Sequence, residues 1–234
     1  MNIVITGASK GIGKAIAAGF AAEGATLFLC ARNELDLYNT VAELQQKNAS
    51  STINARVADV STKDGAKNFG QWILDKATPI DVLVNNAGQF IPGSVCNEPD
   101  GLLEQMIDTN LYSAYHVTRT LLPSMINLGQ GHIFNLCSIA SLHSYHNGGS
   151  YSISKFALMG FSKNLREELK PYNVKVTAVY PGAVMTESWG DFDNSKQRIM
   201  EATDIATMIV AATKLSPQAV VEDIIIRPQL GDLK

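Results

Sequence analysis

Tyr151 and Lys155 are the two residues of this sequence whose types and spacing most clearly suit acid–base chemistry. They lie four positions apart in a stretch, 150–170, where apolar residues recur at helical spacing before Pro171. On a helix, this spacing puts both side chains on one face, one turn apart. A free phenol has a pKa near ~10, which must fall by about three units for proton exchange at neutral pH. A neighbouring ammonium lowers that pKa, so Tyr151 is predicted to act as a general acid or base.

Ser138 adds a hydrogen-bond donor to this pair. It lies 13 residues before Tyr151 and directly follows a short β-rich run. A serine hydroxyl at the end of a strand can donate to a substrate oxygen. The alternative is that Tyr151 and Lys155 form a surface pair with no chemical role.

A glycine-rich segment lies near the start of the chain. Residues 3–13 read Ile-Val-Ile-Thr-Gly-Ala-Ser-Lys-Gly-Ile-Gly, a strand pattern that leads into a helix pattern. Glycine lets the backbone turn sharply and approach a ligand closely. The helix that follows offers free N–H groups and a positive dipole end, which suit a pyrophosphate. A tight turn without a ligand is the alternative, and the position between first strand and first helix argues against it.

These candidate residues must be positioned by alternating strands and helices. Seven short β-rich runs are predicted as strands, at 3–5, 27–30, 53–57, 82–84, 133–136, 174–179 and 224–226. Helical periodicity fills the gaps and is clearest at 11–23, 101–127 and 150–170. The alternation predicts an α/β fold, a doubly wound Rossmann-type parallel sheet flanked by helices. No repeat or linker interrupts the pattern, so residues 1–234 are predicted to form a single domain.

Composition excludes several classes of protein. Of 234 residues, 46% are hydrophobic and 18% charged, which rules out disorder as the main state. The net charge of −3 provides no basic excess for nucleic acid. No apolar run approaches the ~18 residues of a membrane span, and Lys10 and Lys14 interrupt any signal-peptide core. We therefore expect a cytoplasmic protein that binds neither nucleic acid nor membrane.

Cysteines and histidines show no pattern of metal ligands. Cys30, Cys96 and Cys137 are odd in number and widely spaced, which indicates a reducing compartment. Cys137 is predicted to point to the opposite side of the sheet from Ser138 and to belong to the core. The four histidines share no ligand spacing with carboxylates or thiols, so no metal site is expected; they are His116, His132, His143 and His146.

Five motifs, in order, resemble those of short-chain dehydrogenases/reductases. They are Thr6-Gly-Ala-Ser-Lys-Gly-Ile-Gly13, Asp59-Val60, Asn85-Asn86-Ala87-Gly88, the set Asn110, Ser138, Tyr151 and Lys155, and Pro181-Gly182 with Thr186. The resemblance covers nearly the whole chain. It implies a seven-stranded Rossmann-type sheet and nicotinamide-dependent oxidoreduction of a carbonyl or alcohol.

The resemblance also implies roles for individual residues. Asn110, Ser138, Tyr151 and Lys155 would form the catalytic tetrad, in which Asn110 helps to hold a water that links Lys155 to solvent. The implied cofactor-binding residues are Gly7, Ser9, Lys10, Gly11, Ile12, Gly13, Arg32, Asp59, Val60, Asn86, Gly88, Tyr151, Lys155, Val184 and Thr186.

The end of the second strand bears on the choice between NADP and NAD. An acidic residue there accepts hydrogen bonds from the adenosine ribose, but this sequence has Ala31 followed by Arg32. A guanidinium suits a 2′-phosphate, and Lys10 in the glycine loop can approach the same group. The sequence therefore favours NADPH over NADH.

The leading functional hypothesis is an NADPH-dependent reductase of a small carbonyl compound. One alternative is a 3-oxoacyl-carrier-protein reductase, although the C-terminal residues 221–234 resemble carbonyl and sepiapterin reductase-like members of the family instead. A catalytically silent dinucleotide sensor or scaffold is the alternative from another class. Segment 183–200 should shape the substrate pocket. Two pairs of residues are candidates for lining this pocket. Trp189 and Phe192 could instead cover an interface, and His143 and His146 could instead lie in a solvated loop.

Two long helices carry more apolar residues than one face can hold. In 101–127 these are Leu102, Leu103, Met106, Ile107, Leu121, Leu122, Met125 and Ile126, and in 150–170 they are Phe156, Leu158, Met159 and Phe161. The excess predicts a second covered surface and hence a homodimer or homotetramer. The alternative is that loops of the same chain cover it.

Overall fold

The computed structural model describes residues 1–76, 79–231 and 233. Seven strands form one sheet in the order β3-β2-β1-β4-β5-β6-β7, and every neighbouring pair is parallel. The strands are β1 (Asn2–Thr6), β2 (Thr26–Ala31), β3 (Thr52–Val57), β4 (Val82–Asn85), β5 (Gly131–Leu136), β6 (Val174–Pro181) and β7 (Asp223–Ile226). The predicted seven-stranded Rossmann-type fold is confirmed.

Helices cover both faces of the sheet. They are α1 (Gly11–Ala22), α2 (Glu34–Lys47), α3 (Lys63–Leu74), α4 (Leu102–Ile107), α5 (Ser113–Leu128), α6 (Gly149–Leu169) and α7 (Ala202–Thr213). On β1, Ile3 and Ile5 pack with α1, α2 and α7, while Val4 packs with α3, α5 and α6. This alternation buries both faces of the strand, as a parallel sheet requires.

The predicted helix at 101–127 has an irregular centre. Between α4 and α5, residues Asp108–Tyr112 adopt a π-helical turn, and Asn110 lies in its middle. The hydroxyl of Ser113 donates to the carbonyl oxygen of Thr109 at 2.6 Å. Such π-turns inside α-helices are rare and often mark functional sites. Helical periodicity alone gives no sign of this insertion.

His132 near the start of β5 is buried at the edge of the sheet opposite the strands' carboxyl ends. Its Nε2 lies 2.7 Å from the hydroxyl of Thr177, and its ring stacks on Phe134 with centroids 4.0 Å apart. Burial, with a smaller contribution from Lys175, lowers the pKa of His132 to about 3. The imidazole is therefore neutral in the folded protein at physiological pH.

No helix within the described ranges is long and apolar enough to cross a membrane.

Candidate active site

A cleft of about 1210 Å³ opens at the carboxyl ends of the strands. The strand order reverses between β1 and β4, and this switch point is where doubly wound sheets leave a crevice for ligands. The walls of the cleft come from the glycine loop, the ends of β2 to β5, the start of α6 and the segment after β6.

The glycine loop is held by the end of β4. Gly7 and Gly11 have φ values of +65° and +52°, which favour glycine. The side-chain amide of Asn86 donates to the carbonyl oxygens of Thr6 and Gly7 at 3.0 and 2.9 Å. A Cβ on Gly13 would lie 2.2 Å from the Gly7 oxygen. A side chain at position 13 would therefore force the loop to shift.

Most of the predicted cofactor-binding residues line this cleft. They are Gly7, Ser9, Lys10, Gly11, Ile12, Arg32, Asp59, Val60, Asn86, Gly88, Tyr151, Lys155, Val184 and Thr186. Gly13 is the exception: it is buried beneath the loop, where it allows α1 to approach Gly7. A glycine-rich cradle lies at the start of α1, with Lys10 in the loop and Arg32 after the end of β2. This arrangement fits the phosphate groups of a dinucleotide.

Lys155 is anchored by the end of β5. Its Nζ donates to the carbonyl oxygen of Leu136 at 2.7 Å, and only 6% of the residue is exposed. Burial lowers the pKa of Lys155 to about 8. Nζ also lies 5.9 Å from the centroid of the Tyr151 ring. The sequence-predicted pair is thus brought together on one face of α6.

Tyr151 is held as a neutral phenol. Burial raises its pKa to about 12, and a hydrogen bond with Ser138 acts in the opposite direction. The expectation from the sequence that the Lys155 ammonium lowers the pKa of Tyr151 is therefore wrong for this structure, because burial dominates. The Phe90 ring packs edge-on against it at 4.8 Å between centroids. A protonated phenol is the form that can give a proton to a developing alkoxide.

Ser138 has its backbone fixed by the short turn that follows β5. Its Oγ accepts from the N–H of Ala140 at 3.1 Å, and its own N–H donates to the Ser141 hydroxyl at 3.2 Å. The Ser138 Oγ acts as an acceptor in this cap, so its hydroxyl proton can point into the cleft. Ser138, Tyr151 and Lys155 all line the cleft.

Asn110 lies behind the cleft wall and is fully buried. Its Oδ1 accepts from the N–H of Gln89 at 2.7 Å, and its Nδ2 donates to the Gln89 oxygen at 3.0 Å and to Ser154 at 2.8 Å. A Cβ on Gly88 would lie 3.1 Å from Asn110 Oδ1 and 3.5 Å from Lys155 Nζ. Asn110 therefore joins the segment after β4 to α6, rather than facing the cleft directly.

Glu98 is a second connection to α6 that the sequence patterns did not indicate. Its carboxylate accepts from the backbone N–H of Ser150 at 3.2 Å and from the Ser150 hydroxyl. Nearby, the N–H of Gly93 donates to the Asn147 oxygen at 3.1 Å. The loop after β4 is thereby tied to the first turn of the helix that carries Tyr151.

Aromatic side chains surround the mouth of the cleft. Phe90 and Tyr145 line it and are 48% and 46% exposed. Trp189 also lines it, while Phe192 packs on Trp189 with centroids 5.3 Å apart instead of lining the cleft. Phe90 and Tyr145 escaped the sequence analysis, although each lies beside a motif, two residues after Gly88 and six before Tyr151.

Of the two histidines in this region, His143 lines the cleft, whereas His146 is exposed and does not.

Cys137 is buried with Leu158 and Tyr180, as predicted for a core residue. Burial raises the pKa of its thiol to about 11. Within the described residues, no group of three His, Cys, Asp or Glu side chains could hold a metal ion.

The end of the cleft beside Arg32 and Lys10, where the sequence predicts the adenosine of the cofactor (the adenosine end), differs from the sequence-based expectation in one contact. Arg32 and Lys10 both line it, as expected for a 2′-phosphate site. Lys10 Nζ, however, lies 2.8 Å from the Asp36 carboxylate in the first turn of α2. This ion pair raises the pKa of Lys10. The Lys10 ammonium is therefore shared with a carboxylate of the same chain.

The fold and its cleft define a Rossmann-type α/β protein, and comparisons with known proteins sharpen this classification. The family model for short chain dehydrogenase matches residues 1–197. The chain is 33% identical over 241 residues to a sepiapterin reductase of Chlorobaculum tepidum, covering 99% of this chain and 98% of that protein. The chain therefore belongs to the short-chain dehydrogenase/reductase family of oxidoreductases.

Two further similarities bear on function. A putative ketoacyl reductase of the monensin polyketide synthase from Streptomyces virginiae is 40% identical over 185 residues, which are 78% of this chain and 70% of that protein. An alcohol dehydrogenase from Thermococcus sibiricus, solved with 5-hydroxy-NADP, superposes with a TM-score of 0.92 at 27% identity. That match covers 100% of this chain and 98% of the other.

Proposed function

We propose that this chain is an NADPH-dependent reductase of a small carbonyl compound. The observation that carries the proposal is the convergence of Ser138, Tyr151 and Lys155 on one cleft whose other wall is the glycine loop. An oxidoreductase of this family needs a proton donor, a donor to the substrate oxygen and a dinucleotide cradle, and this cleft contains all three.

The proposed mechanism assigns the proton to Tyr151. A reduced nicotinamide cofactor held by the glycine loop would supply the hydride for the carbonyl carbon. The Tyr151 hydroxyl gives its proton to the carbonyl oxygen, while Ser138 donates a hydrogen bond to the same oxygen and stabilises its developing charge. Lys155, whose pKa burial lowers to about 8, then returns a proton towards the phenolate. The oxidation of an alcohol uses the same groups in reverse.

Residues behind the cleft keep this arrangement in place. Asn110 fixes the segment after β4 through Gln89 and Ser154, so we propose that it positions α6 and the chain facing it. The backbone carbonyl of Leu136 holds the Lys155 ammonium. In the family's terms, Asn110 also supports a water that links Lys155 to solvent, and this stays a prediction for the present chain.

We propose NADPH rather than NADH as the preferred cofactor. Ala31 stands where an acidic ribose ligand would be, and Arg32 and Lys10 flank the same end of the cleft. The relative from Thermococcus sibiricus was solved with an NADP derivative.

The experiment that tests the function is a panel of diketones, pterins, quinones, sugars and β-ketoacyl thioesters, each assayed with NADPH and NADH. Consumption of NADPH with a non-thioester carbonyl supports the proposal. A strict requirement for β-ketoacyl thioesters would favour the ketoacyl reductase alternative, for which the similarity to the monensin enzyme speaks. Tight cofactor binding without turnover of any substrate would favour a silent sensor or scaffold.

We also propose that the protein is a homodimer or homotetramer in the cytoplasm. Of the apolar residues counted on the two long helices, five are buried in their own chain: Leu102, Met106, Leu121, Met125 and Leu158. Leu103 and Tyr112 on one helical stretch and Ile153 and Phe156 on α6 stay exposed and supply the apolar surface. Sedimentation at micromolar concentration checks this, and a mass near the 25.2 kDa of one chain would contradict it.

A further inference from the structure

The ion pair between Lys10 and Asp36 lies at the rim of the cleft where a 2′-phosphate would bind. Lys10 Nζ is 2.8 Å from Asp36 Oδ2, with the two side chains 51% and 26% exposed. Asp36 belongs to the first turn of α2, which begins two residues after Arg32. One of the two cations that favour NADPH is therefore already hydrogen-bonded to a carboxylate.

Other carboxylates near Lys10 add to the effect of Asp36. The first turn of α2 carries Glu34 as well as Asp36, and Glu187 from the segment after β6 also stabilises the Lys10 ammonium. The Lys10 ammonium thus faces two carboxylates at this end of the cleft, those of Asp36 and Glu187. A 2′-phosphate must share or displace the Asp36 contact, whereas a ribose hydroxyl brings no charge to repel.

We propose that Asp36 is a specificity-determining residue that competes with the 2′-phosphate for the Lys10 ammonium and so reduces the preference for NADPH over NADH. The inference rests on the proposed nicotinamide-dependent function. In this arrangement, Arg32 provides most of the preference for NADPH over NADH. Lys10 contributes to that preference only to the extent that the 2′-phosphate displaces Asp36 from its ammonium.

The expected effect is modest because both side chains are solvated. An exposed charge pair changes affinity by at most about fivefold. Asp36→Asn removes the charge and keeps the shape of the side chain. The backbone N–H of Asp36, which donates to the Asn33 cap at 3.0 Å, is unchanged by this substitution.

The probes are 2′,5′-ADP and 5′-ADP, which differ by the 2′-phosphate and need no substrate or nicotinamide. Calorimetric titration of Asp36→Asn should tighten 2′,5′-ADP about fivefold and change 5′-ADP by less than about twofold. The gain should shrink when Lys10→Met is combined with Asp36→Asn, and should shrink at high salt. Asp36→Ser is a second charge-removing variant that should behave alike.

Glu43→Gln is the matched control. Glu43 pairs with Lys14 at 2.9 Å and, like Asp36, joins α2 to the start of α1, but neither partner lines the cleft. This variant should leave both titrations unchanged. An equal gain in Glu43→Gln, or unchanged or weaker binding of 2′,5′-ADP in both Asp36 variants, would overturn the inference.

The inference and the proposed function fail in different ways. If the unmodified protein binds neither nucleotide and neither full cofactor, the nicotinamide-dependent function is wrong and the inference falls with it. If it binds both nucleotides but the Asp36 variants match the unmodified protein, the function stands and only the role of Asp36 is rejected. Thermal unfolding of each variant verifies that it is folded.

Discussion

The two ends of the cleft are built on different principles. At the catalytic end, Lys155 and Ser138 are almost fully buried and Asn110 completely so, each held by hydrogen bonds to the backbone. At the adenosine end, Lys10 is half-exposed and Arg32 exposed, and the contact is an ion pair between two solvent-accessible side chains.

This difference separates what the fold fixes from what surface charge can tune. A buried polar group that loses its partner is costly, so the catalytic geometry tolerates little change. Solvated charges contribute little individually and are screened by salt. Substitutions at the adenosine end should therefore shift cofactor preference by moderate factors without disturbing the chemistry at the other end.

The largest effect is expected from Tyr151→Phe. The ring still packs against Phe90, but the proton donor is gone, and loss of general acid catalysis costs ~10²–10⁴-fold in turnover. NADPH affinity should change by less than about threefold, because only the Tyr151 hydroxyl is lost while the glycine loop, Arg32 and Lys10 are untouched. Stopped-flow or steady-state NADPH oxidation with a reducible ketone, beside a cofactor titration, measures both. Near-normal turnover would remove Tyr151 from the mechanism.

Gly13→Ala tests the cradle between the two ends. The new Cβ would lie 2.2 Å from the Gly7 oxygen and 2.4 Å from Asn86 Nδ2, so the loop must shift. We expect destabilisation of about 3 kcal/mol, at the upper end of overpacking costs, together with loss of nucleotide binding.

The control for Gly13→Ala is Gly160→Ala in the middle of α6. A Cβ there would meet no atom within 4 Å, and alanine favours the helix by up to about 1 kcal/mol. Urea unfolding should move in opposite directions for the two variants. Equal and small changes would show that the loop is looser than its contacts indicate.

Arg32→Ala measures the adenosine end alone. A charge-assisted hydrogen bond contributes about 1.5–3 kcal/mol, so NADPH binding should weaken by about 10- to 150-fold while NADH changes little. Lys10→Ala should weaken NADPH less, because Asp36 already engages that ammonium. Cofactor fluorescence titrations decide this, and equal affinity of the unmodified protein for NADPH and NADH would contradict the preference itself.

His132 provides the smallest test, at the edge of the sheet away from the cleft. In the folded protein the pKa of His132 is about 3, below its ordinary value of 6.5. Between these two pH values the unfolded chain therefore binds more protons than the folded chain. Stability should therefore fall as pH drops below about 6.5, by about 2 kcal/mol between pH 7 and 5. His132→Gln should lack this part of the slope in urea unfolding, while the pH dependence of turnover stays unchanged. An identical slope in the variant would place the loss elsewhere.

Sequence patterns predicted the buried parts of the molecule well. The seven strands follow from short β-rich runs and the i, i+4 pair on α6 from the helical period of 3.6, both of which local side chains encode. The π-turn around Asn110 was missed because its cause is tertiary: the amide must reach Gln89 and Ser154 at once. The Lys10–Asp36 contact was missed for the same reason, since nothing local sets α2 beside the glycine loop.

The apolar positions on the long helices show a similar division. The count of such residues predicted an excess, but only the packed structure shows that Leu102 is buried and the adjacent Leu103 is 39% exposed. A one-residue step turns a side chain by about 100° on a helix of 3.6 residues per turn. The sequence therefore predicts the existence of a second apolar surface. It does not predict as readily which residues form that surface.

The hydrogen bonds from Asn86 to Thr6 and Gly7 join residues 80 and 79 positions apart. Contacts at such separation form late, because a long loop must close before they contribute. We therefore expect the glycine loop to acquire its shape only after β4 has docked beside β1. A nucleotide present during refolding should leave the early phases unchanged and act on the last step, where it stabilises the native chain by mass action. The time course with which nucleotide binding recovers during refolding should therefore report when the sheet is completed. It should not report the first collapse of the chain.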